Sequence, residues 1–222
     1  MLRIDFPAWT AAFSERADGD LRVSARTAAE PLEQVQSRVL YELGVASIVV
    51  GRQVHGTDVV VVENPIAGYR VGTGEGDAVA VTDAGVAAAV HVADCVPVAI
   101  GGAGAVAALH CGWRGLAGGI LAEGVRALRE LGVEGELQAA IGPGAGGCCY
   151  ETGDELREIF ARYGASNGRL LDLKAVAATQ LREAGVAAIE DPGLCTICDE
   201  RYFSHRRDGA ATGRQGGFAW LR

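Results

Sequence analysis

The segment VAAAVHVADCVPVAIGGAGAVAALHCGWRG, residues 86–115, holds three apolar runs, 86–92, 96–100 and 105–109, closed by a glycine-bracketed turn. Each run is too short and too β-branched for a helix and is bounded by Gly, Asp or Pro, which predicts buried strands. Residues 116–131 follow the third run directly. Leu116, Ile120, Val125 and Leu128 share one side and Gly132 is a terminator, so a helix is expected there. Working outward, the runs 48–50, 59–62 and 79–82 have the same strand character. Residues 31–43 begin with Pro31 and carry Leu32, Val35, Val39 and Leu43 at helical spacing, with Gly44 as the stop. A further helix is expected from Thr152, where Thr152 and Glu155 have capping-box spacing and Leu156, Ile159, Phe160 and Tyr163 form an apolar face. The last long helix is expected over 170–184.

Strands interleaved with single helices imply an α+β (mixed α/β) sandwich of mixed β-sheet and helices. No linker, charge block or fixed-period repeat divides the sequence, and its 32 glycines are spread through short turns, so one domain over residues 1–222 is expected. The chain is 49% hydrophobic and 22% charged, the balance of a protein that buries a core. Its formal net charge of -8 repels a phosphate backbone at long range, which argues against nucleic acid as a partner. Arginines and backbone amides still bind a small anion at contact distance. No apolar stretch approaches the ~20 residues of a membrane span, and the first residues lack a signal-peptide core. Six cysteines in this length suit reduced thiols, so a soluble cytoplasmic protein is expected. Oligomeric state is not legible.

Of four histidines, His55 lies in QVHGTD between strand-like segments, where it suits a pocket edge or merely satisfies a turn carbonyl. Cys95 falls where one extended run bends into the next, facing a cavity or simply buried as a small apolar group. His110 closes a strand before the CGWRG turn, and ligands in α/β proteins collect beyond such strand ends. Arg114 would draw an anion there, unless Gly112 and Gly115 only permit a tight turn and Trp113 packs on the sheet. Near the chain's end Arg206, Arg207 and Arg214 surround a Gly-rich turn before an apolar strand. They form either a solvated basic hairpin or an anion clamp. Cys148 and Cys149, with Cys195 and Cys198 spaced CTIC, offer four thiols, but adjacent cysteines and a single CxxC argue against a structural zinc.

Taken together, QVHGTD (53–58), ADCVPV (93–98), LHCGWRG (109–115), IGPGAGGCCYETG (141–153) and CTICDERYFSHRRDGAATGRQGGFAWL (195–221) resemble the bacterial polyphenol oxidase or laccase-domain family. That family is related to the purine nucleoside phosphorylase of animal macrophages. The resemblance, from about Gln53 to Arg222, implies a zinc ion on His55, Cys95 and His110, the same three residues being catalytic, with a fourth position open. Such a metal lowers the pKa of a water or polarises a substrate atom. It implies phosphorolysis of adenosine, inosine and related nucleosides, with adenosine deaminase activity, and a fold similar to cysteine-hydrolase-like deamidase toxins. Purine nucleoside and phosphate are then the partners, with Arg114, Arg206 and Arg207 as substrate contacts.

A metal-free alternative pairs Cys95 as nucleophile with His110 as base, Asp94 or another acceptor orienting the ring. Some relatives are linked to cell-wall precursor editing, which implies a hydrolase (amidase) on muropeptide precursors; a non-catalytic zinc-dependent interaction module is a third reading. A multicopper oxidase mechanism is rejected, because four dispersed histidines with no HxH pair do not furnish several copper centres; copper at the same three ligands would be adventitious. Two departures stand out. Residues 13–28, FSERADGDLRVSARTA, lack the Gly-Gly-Val-Ser loop and following Asn-Leu turn of many relatives, and His205 stands where relatives commonly carry Tyr, suggesting an exposed loop histidine.

Overall fold

Alternate residues of the Val86–Val92 strand enter two different apolar layers. Val86, Ala88, Val90 and Val92 face one layer, Ala87 and Ala89 the other. A strand buried on both faces reads as a continuous apolar run, which is why the sequence shows no polar alternation there. The computed structural model describes residues 1–22, 30–63 and 65–222. The divergent N-terminal segment therefore falls partly outside the described residues, at 23–28.

Two six-stranded mixed sheets lie face to face. In the first, the spatial order is Leu2–Asp5, Trp9–Phe13, Gln215–Leu221, Val86–Val92, Ser47–Arg52 and Gly68–Glu75. The first four strands are mutually antiparallel, while Ser47–Arg52 runs parallel to both of its neighbours. In the second, the order is Ala188–Glu190, Gln138–Ile141, Val96–Gly102, Ala105–Cys111, Ala78–Val81 and Val59–Val62. Its two outer pairs are parallel and its centre antiparallel. Between the sheets pack Phe6, Trp9, Val49, Val79, Val90 and Val106 with a floor of alanines. The Leu32–Leu43 helix covers the outer face of the first sheet through Val35, Val39 and Leu43. The helices Ile120–Glu130 and Leu173–Glu183 cover the second. This is the mixed α+β sandwich that the strand and helix pattern implies.

Three helix expectations need correction. The helix placed over 116–131 starts earlier, at Trp113, and is broken at Gly119, whose φ of 91° is a left-handed turn that a side chain disfavours. The helix from Thr152 is capped by Gly153 and lasts only over Asp154–Ile159 before a 3-10 turn at Ala161–Tyr163. Phe160 is buried and Leu156 and Tyr163 pack partly against the core, as the spacing implies, but Ile159 is left 49% exposed. Residues 170 and 171 pair as a strand, and Asp172 caps the helix that follows by accepting from the Lys174 and Ala175 amides.

Gly142 is packed against a residue of each sheet, Phe13 of the first and Pro97 of the second. A methyl group there would lie 2.3 Å from the Phe13 ring and 2.8 Å from Pro97 Cγ. Gly142→Ala is therefore expected to cost about 1–3 kcal/mol through overpacking, read as a lower urea midpoint with an unchanged slope.

Candidate active site

Strand register assembles the site. Val96 pairs with Cys111 and Pro97 with His110, while Ala78 pairs with Leu109. Cys95 thus sits one residue beyond one side of the ladder and Asp77 one beyond the other, flanking His110 at the sheet's end. The His110 amide donates to the Asp77 carbonyl at 2.7 Å, extending the ladder to the site itself.

The Asp77 side chain is fully buried and organises everything around it. Its carboxylate accepts the successive amides of Val54, His55 and Gly56 at 2.8, 2.9 and 2.7 Å, and His110 Nδ1 at 2.7 Å. Three consecutive amides turned toward one anion require an unusual backbone, and His55 supplies it with φ of 63°. Gln53 fastens the same loop by donating to the His91 carbonyl and accepting from its amide, both at 2.9 Å. With Nδ1 of His110 committed to Asp77, Nε2 is the nitrogen left for the cavity.

His55, Cys95 and His110 offer one nitrogen, one sulfur and one nitrogen that all lie within 4.8 Å of one another. The two imidazoles meet edge to face with centroids 4.8 Å apart. Gly112 makes room, since a Cβ there would stand 3.2 Å from both Cys95 Sγ and His55 Cδ2. Burial alone pushes the Cys95 thiol up, but hydrogen bonds and charge from His110 and His55 outweigh it and bring the pKa down to about 6. Burial opposes a charge on His110, yet the bonds to Asp77 and Cys95 raise it to about 9. Burial would raise Asp77, but its bonds to His110 and the amides of Val54 and Gly56 hold it down at about 2. Two imidazoles and a readily ionised thiol, converging over a side-chain-free residue, are a donor set that fits a zinc ion with an open position.

The metal-free alternative left open which acceptor orients His110. It is Asp77, which sequence reasoning missed, and not Asp94. Asp94, with φ of 84°, instead pins the neighbouring loops: it accepts from Thr196 Oγ1 at 2.6 Å and the Arg206 amide at 2.6 Å, and its carbonyl from Ala145 at 2.7 Å. Register is a tertiary property, so nothing in the EGDAV segment flags Asp77 beyond a carboxylate at a strand start.

Above the three donors opens a cavity of about 690 Å³ lined by Arg22, Arg114, Arg206 and Arg214 with Trp113 and Tyr150. Arg114 stacks on Trp113 at 4.3 Å and Arg206 on Tyr150 at 5.0 Å. Arg206 also donates to the Glu151 carbonyl at 2.9 Å. Arg207 turns elsewhere. Its guanidinium donates to the carbonyls of Thr196 and Tyr202 at 2.7 Å each and pairs with Asp208, and it does not line the cavity. His205 is exposed, opens a one-turn helix at His205–Asp208 and reaches the cavity rim. Arg22 and Tyr150 were not singled out from sequence, although Tyr150 lies within the IGPGAGGCCYETG motif. The two cysteine pairs, judged poor partners from spacing, come together: the sulfurs of Cys148, Cys149, Cys195 and Cys198 lie within 4.8 Å of one another.

His91 lines the same cavity, and its Nε2 meets Tyr69 Oη at 2.8 Å. Burial, and then the charge of Arg214, lower its pKa from 6.5 to about 4. The unfolded chain therefore takes up a proton that the folded chain refuses. Stability is expected to be full above pH 6.5 and to fall toward pH 4, by about 3 kcal/mol from this group. Denaturant titrations across that range check this, with His91→Gln flattening the slope.

Among the described residues, no helix is long and apolar enough to cross a membrane. Comparison with known proteins gives consistent relatives. The family described as multi-copper polyphenol oxidoreductase laccase matches residues 15–222. A purine nucleoside phosphorylase of Aquifex aeolicus is 45% identical over 136 residues, 60% of this chain and 66% of its own length, so the match spans just under two thirds of that relative. One from Corynebacterium glutamicum is 38% identical over 185 residues, 78% of this chain and 74% of its own length. A solved Neisseria meningitidis protein superposes with a TM-score of 0.85 at 29% identity, covering 99% of this chain and 98% of its own.

Proposed function

We propose, from the premise that this chain belongs to the multi-copper polyphenol oxidoreductase laccase family, that it is a zinc-dependent purine nucleoside phosphorylase. Its substrates are adenosine, inosine and related nucleosides, with adenosine deamination as a second activity. The observation that carries the reading is the convergence of His55, Cys95 and His110 beneath an arginine-lined cavity. The activity named for the relatives from Aquifex aeolicus and Corynebacterium glutamicum supports it.

His55, Cys95 and His110 would hold the metal, and bound zinc supplies Lewis acidity that polarises a substrate atom or lowers the pKa of a water. The rest falls to the protein's own side chains. Asp77 fixes the His110 ring and, through the amides of residues 54–56, the place of His55. Trp113 and Tyr150 line the cavity, each with an arginine stacked on one side of its ring, and flat aromatic rings of this kind suit a purine. Arg206 and Arg114 offer planar guanidiniums to phosphate in a protein whose net charge is -8, so the attraction is local to the cavity. In phosphorolysis a phosphate oxygen bonds to the anomeric carbon as the bond to the purine nitrogen breaks. The base leaves with the electron pair and takes a proton. Arg207, tied to backbone carbonyls, supports the Arg206 turn and does not itself bind substrate in this reading.

The test is direct. Purified protein given inosine or adenosine and phosphate is expected to release free base and ribose 1-phosphate. Chelation should abolish the turnover and zinc restore it. Base release that does not depend on phosphate, or turnover indifferent to chelation, overturns the proposal.

A second reading has its own observation, the Cys95–His110–Asp77 alignment, which matches a thiol nucleophile, its base and an orienting acceptor. It makes the protein an amidase on muropeptide precursors. Release of an amino acid from such a precursor, with adenosine and phosphate inert, would favour it. A zinc-dependent interaction module without turnover of either substrate is the outcome that defeats both. Multicopper oxidation finds little support in the remaining imidazoles, since His91 is committed to Tyr69 and His205 lies exposed at the rim.

A further inference from the structure

Four of the six cysteines lie outside the candidate active site, on two loops far apart in sequence. Cys148 and Cys149 follow the GPGAGG turn; Cys195 and Cys198 are the ends of CTIC. The loops are stitched together by a parallel bridge between Gly144 and Cys195 and by the Thr196 amide donating to the Gly144 carbonyl at 3.0 Å. The stitching brings all four sulfurs into one cluster: Cys148 lies 3.5 Å from Cys149 and 3.4 Å from Cys198, and Cys149 lies 3.4 Å from Cys195 and 2.7 Å from Cys198.

We propose that Cys148, Cys149, Cys195 and Cys198 form a second metal site, a tetrathiolate that binds a zinc-class divalent cation and fastens these two loops. A tetrahedral ion with bonds of about 2.3 Å to sulfur separates its ligands by roughly 3.8 Å, so three of the four stated pairs need to move only a few tenths of an ångström. The 149–198 pair opens by about 1 Å, a shift within reach of cysteine side-chain rotation. Two further features suit thiolates. The Gly146 amide donates to Cys195 Sγ at 3.3 Å, placing positive dipole where a metal-bound sulfur carries charge. Gly146 also leaves the cluster open, because a Cβ there would stand 3.1 Å from Cys195 Cβ and 3.3 Å from Cys148 Sγ. The objection that adjacent cysteines cannot share an ion fails here. Cys148 and Cys149 both reach Cys198, so the tight turn of residues 146–150 aims the two sulfurs at one point.

The site would serve the active cavity without belonging to it. Tyr150 follows Cys149 directly and stacks beneath Arg206, and Thr196, inside the CTIC turn, holds Asp94 beside Cys95 and receives Arg207. Fastening the two loops thus fixes the wall that carries Tyr150 and Arg206.

The test counts metal on the intact chain. Protein purified under reductant, loaded with zinc and desalted is expected to hold two equivalents. The pair Cys195→Ser with Cys198→Ser should hold one, and Cys95→Ala one. Loaded with cobalt instead, Cys95→Ala should keep the intense thiolate charge-transfer absorption and the serine pair should lose most of it. Should the serine pair fail to fold by circular dichroism, thiol titration of the Cys95→Ala protein decides: zinc should protect four thiols and a chelator release them. The proposal is overturned by an unchanged metal count in the folded serine pair, by four loop thiols that react freely in zinc-loaded protein, or by a disulfide in the reduced preparation. If Cys95→Ala retains every equivalent of metal, the active-site reading fails and the second site stands.

Discussion

Cys95→Ala is expected to lower kcat/KM for nucleoside phosphorolysis by roughly 10³-fold or more, with loss of one metal equivalent and little change in fold. The reasoning starts from the sheet. Cys95 is the residue just past the Val96–Cys111 pair, delivered to His110 by register and held there by Asp94, which three separate loop groups pin from outside. Removing the sulfur leaves this frame untouched, because no hydrogen bond of the frame uses the thiol. What disappears is the anionic member of the donor set, whose low pKa reflects the two imidazoles beside it. Cys95→Ser should be nearly as impaired, since a neutral hydroxyl replaces a thiolate of similar size. Activity within tenfold of wild type in either variant would sink the assigned role. Steady-state kinetics with metal analysis on the same samples makes the measurement.

Asp77→Asn should be harmful in a different way, costing about 3 kcal/mol of stability and roughly 10²-fold in kcat/KM. The carboxylate is fully buried and satisfies three backbone amides and an imidazole. An amide of the same shape keeps one acceptor but turns an NH₂ toward at least one of those donors, stranding it without water. It also removes the charge that fixes the His110 tautomer, so Nε2 is no longer reliably the free nitrogen. The split between the two readouts distinguishes positioning from general damage. A destabilised enzyme with normal turnover at low temperature would mean that Asp77 only holds the fold. Denaturant unfolding alongside kinetics at a temperature where the variant is fully folded separates the cases.

The parts of the fold that could be read from sequence are those where burial leaves a local trace. The runs 86–92, 96–100 and 105–109 are strands packed on both faces, and they are accordingly made mostly of small and β-branched residues. Leu32–Leu43 was legible because its three buried positions recur at helical spacing and Gly44 ends it in a left-handed turn. Trp9–Phe13 was not, since pairing with the remote Gln215–Leu221 seats it in the sheet, and Leu2–Asp5 is an edge strand that pairs only with it. The break at Gly119 and the early stop at Ile159 likewise follow from how residues 113–130 and 154–163 seat on the second sheet. In the site, His55, Cys95 and His110 were recognisable by motif, and their convergence is a product of register. Asp77 carries no motif, so only the folded ladder reveals it. The cysteine cluster was discounted on spacing, because spacing does not show that Gly144 and Cys195 bridge.

The first sheet places its last-made strand, Gln215–Leu221, in its interior, between Trp9–Phe13 and Val86–Val92. On a ribosome the sheet therefore waits as two fragments with open edges until residues 215–221 have emerged. Pairing partners some 200 residues apart make closure a slow, non-local event. Nascent chains stalled before this strand should stay protease-sensitive and adhere to one another through the uncovered edges, so expression yield should respond sharply to lesions in residues 215–221.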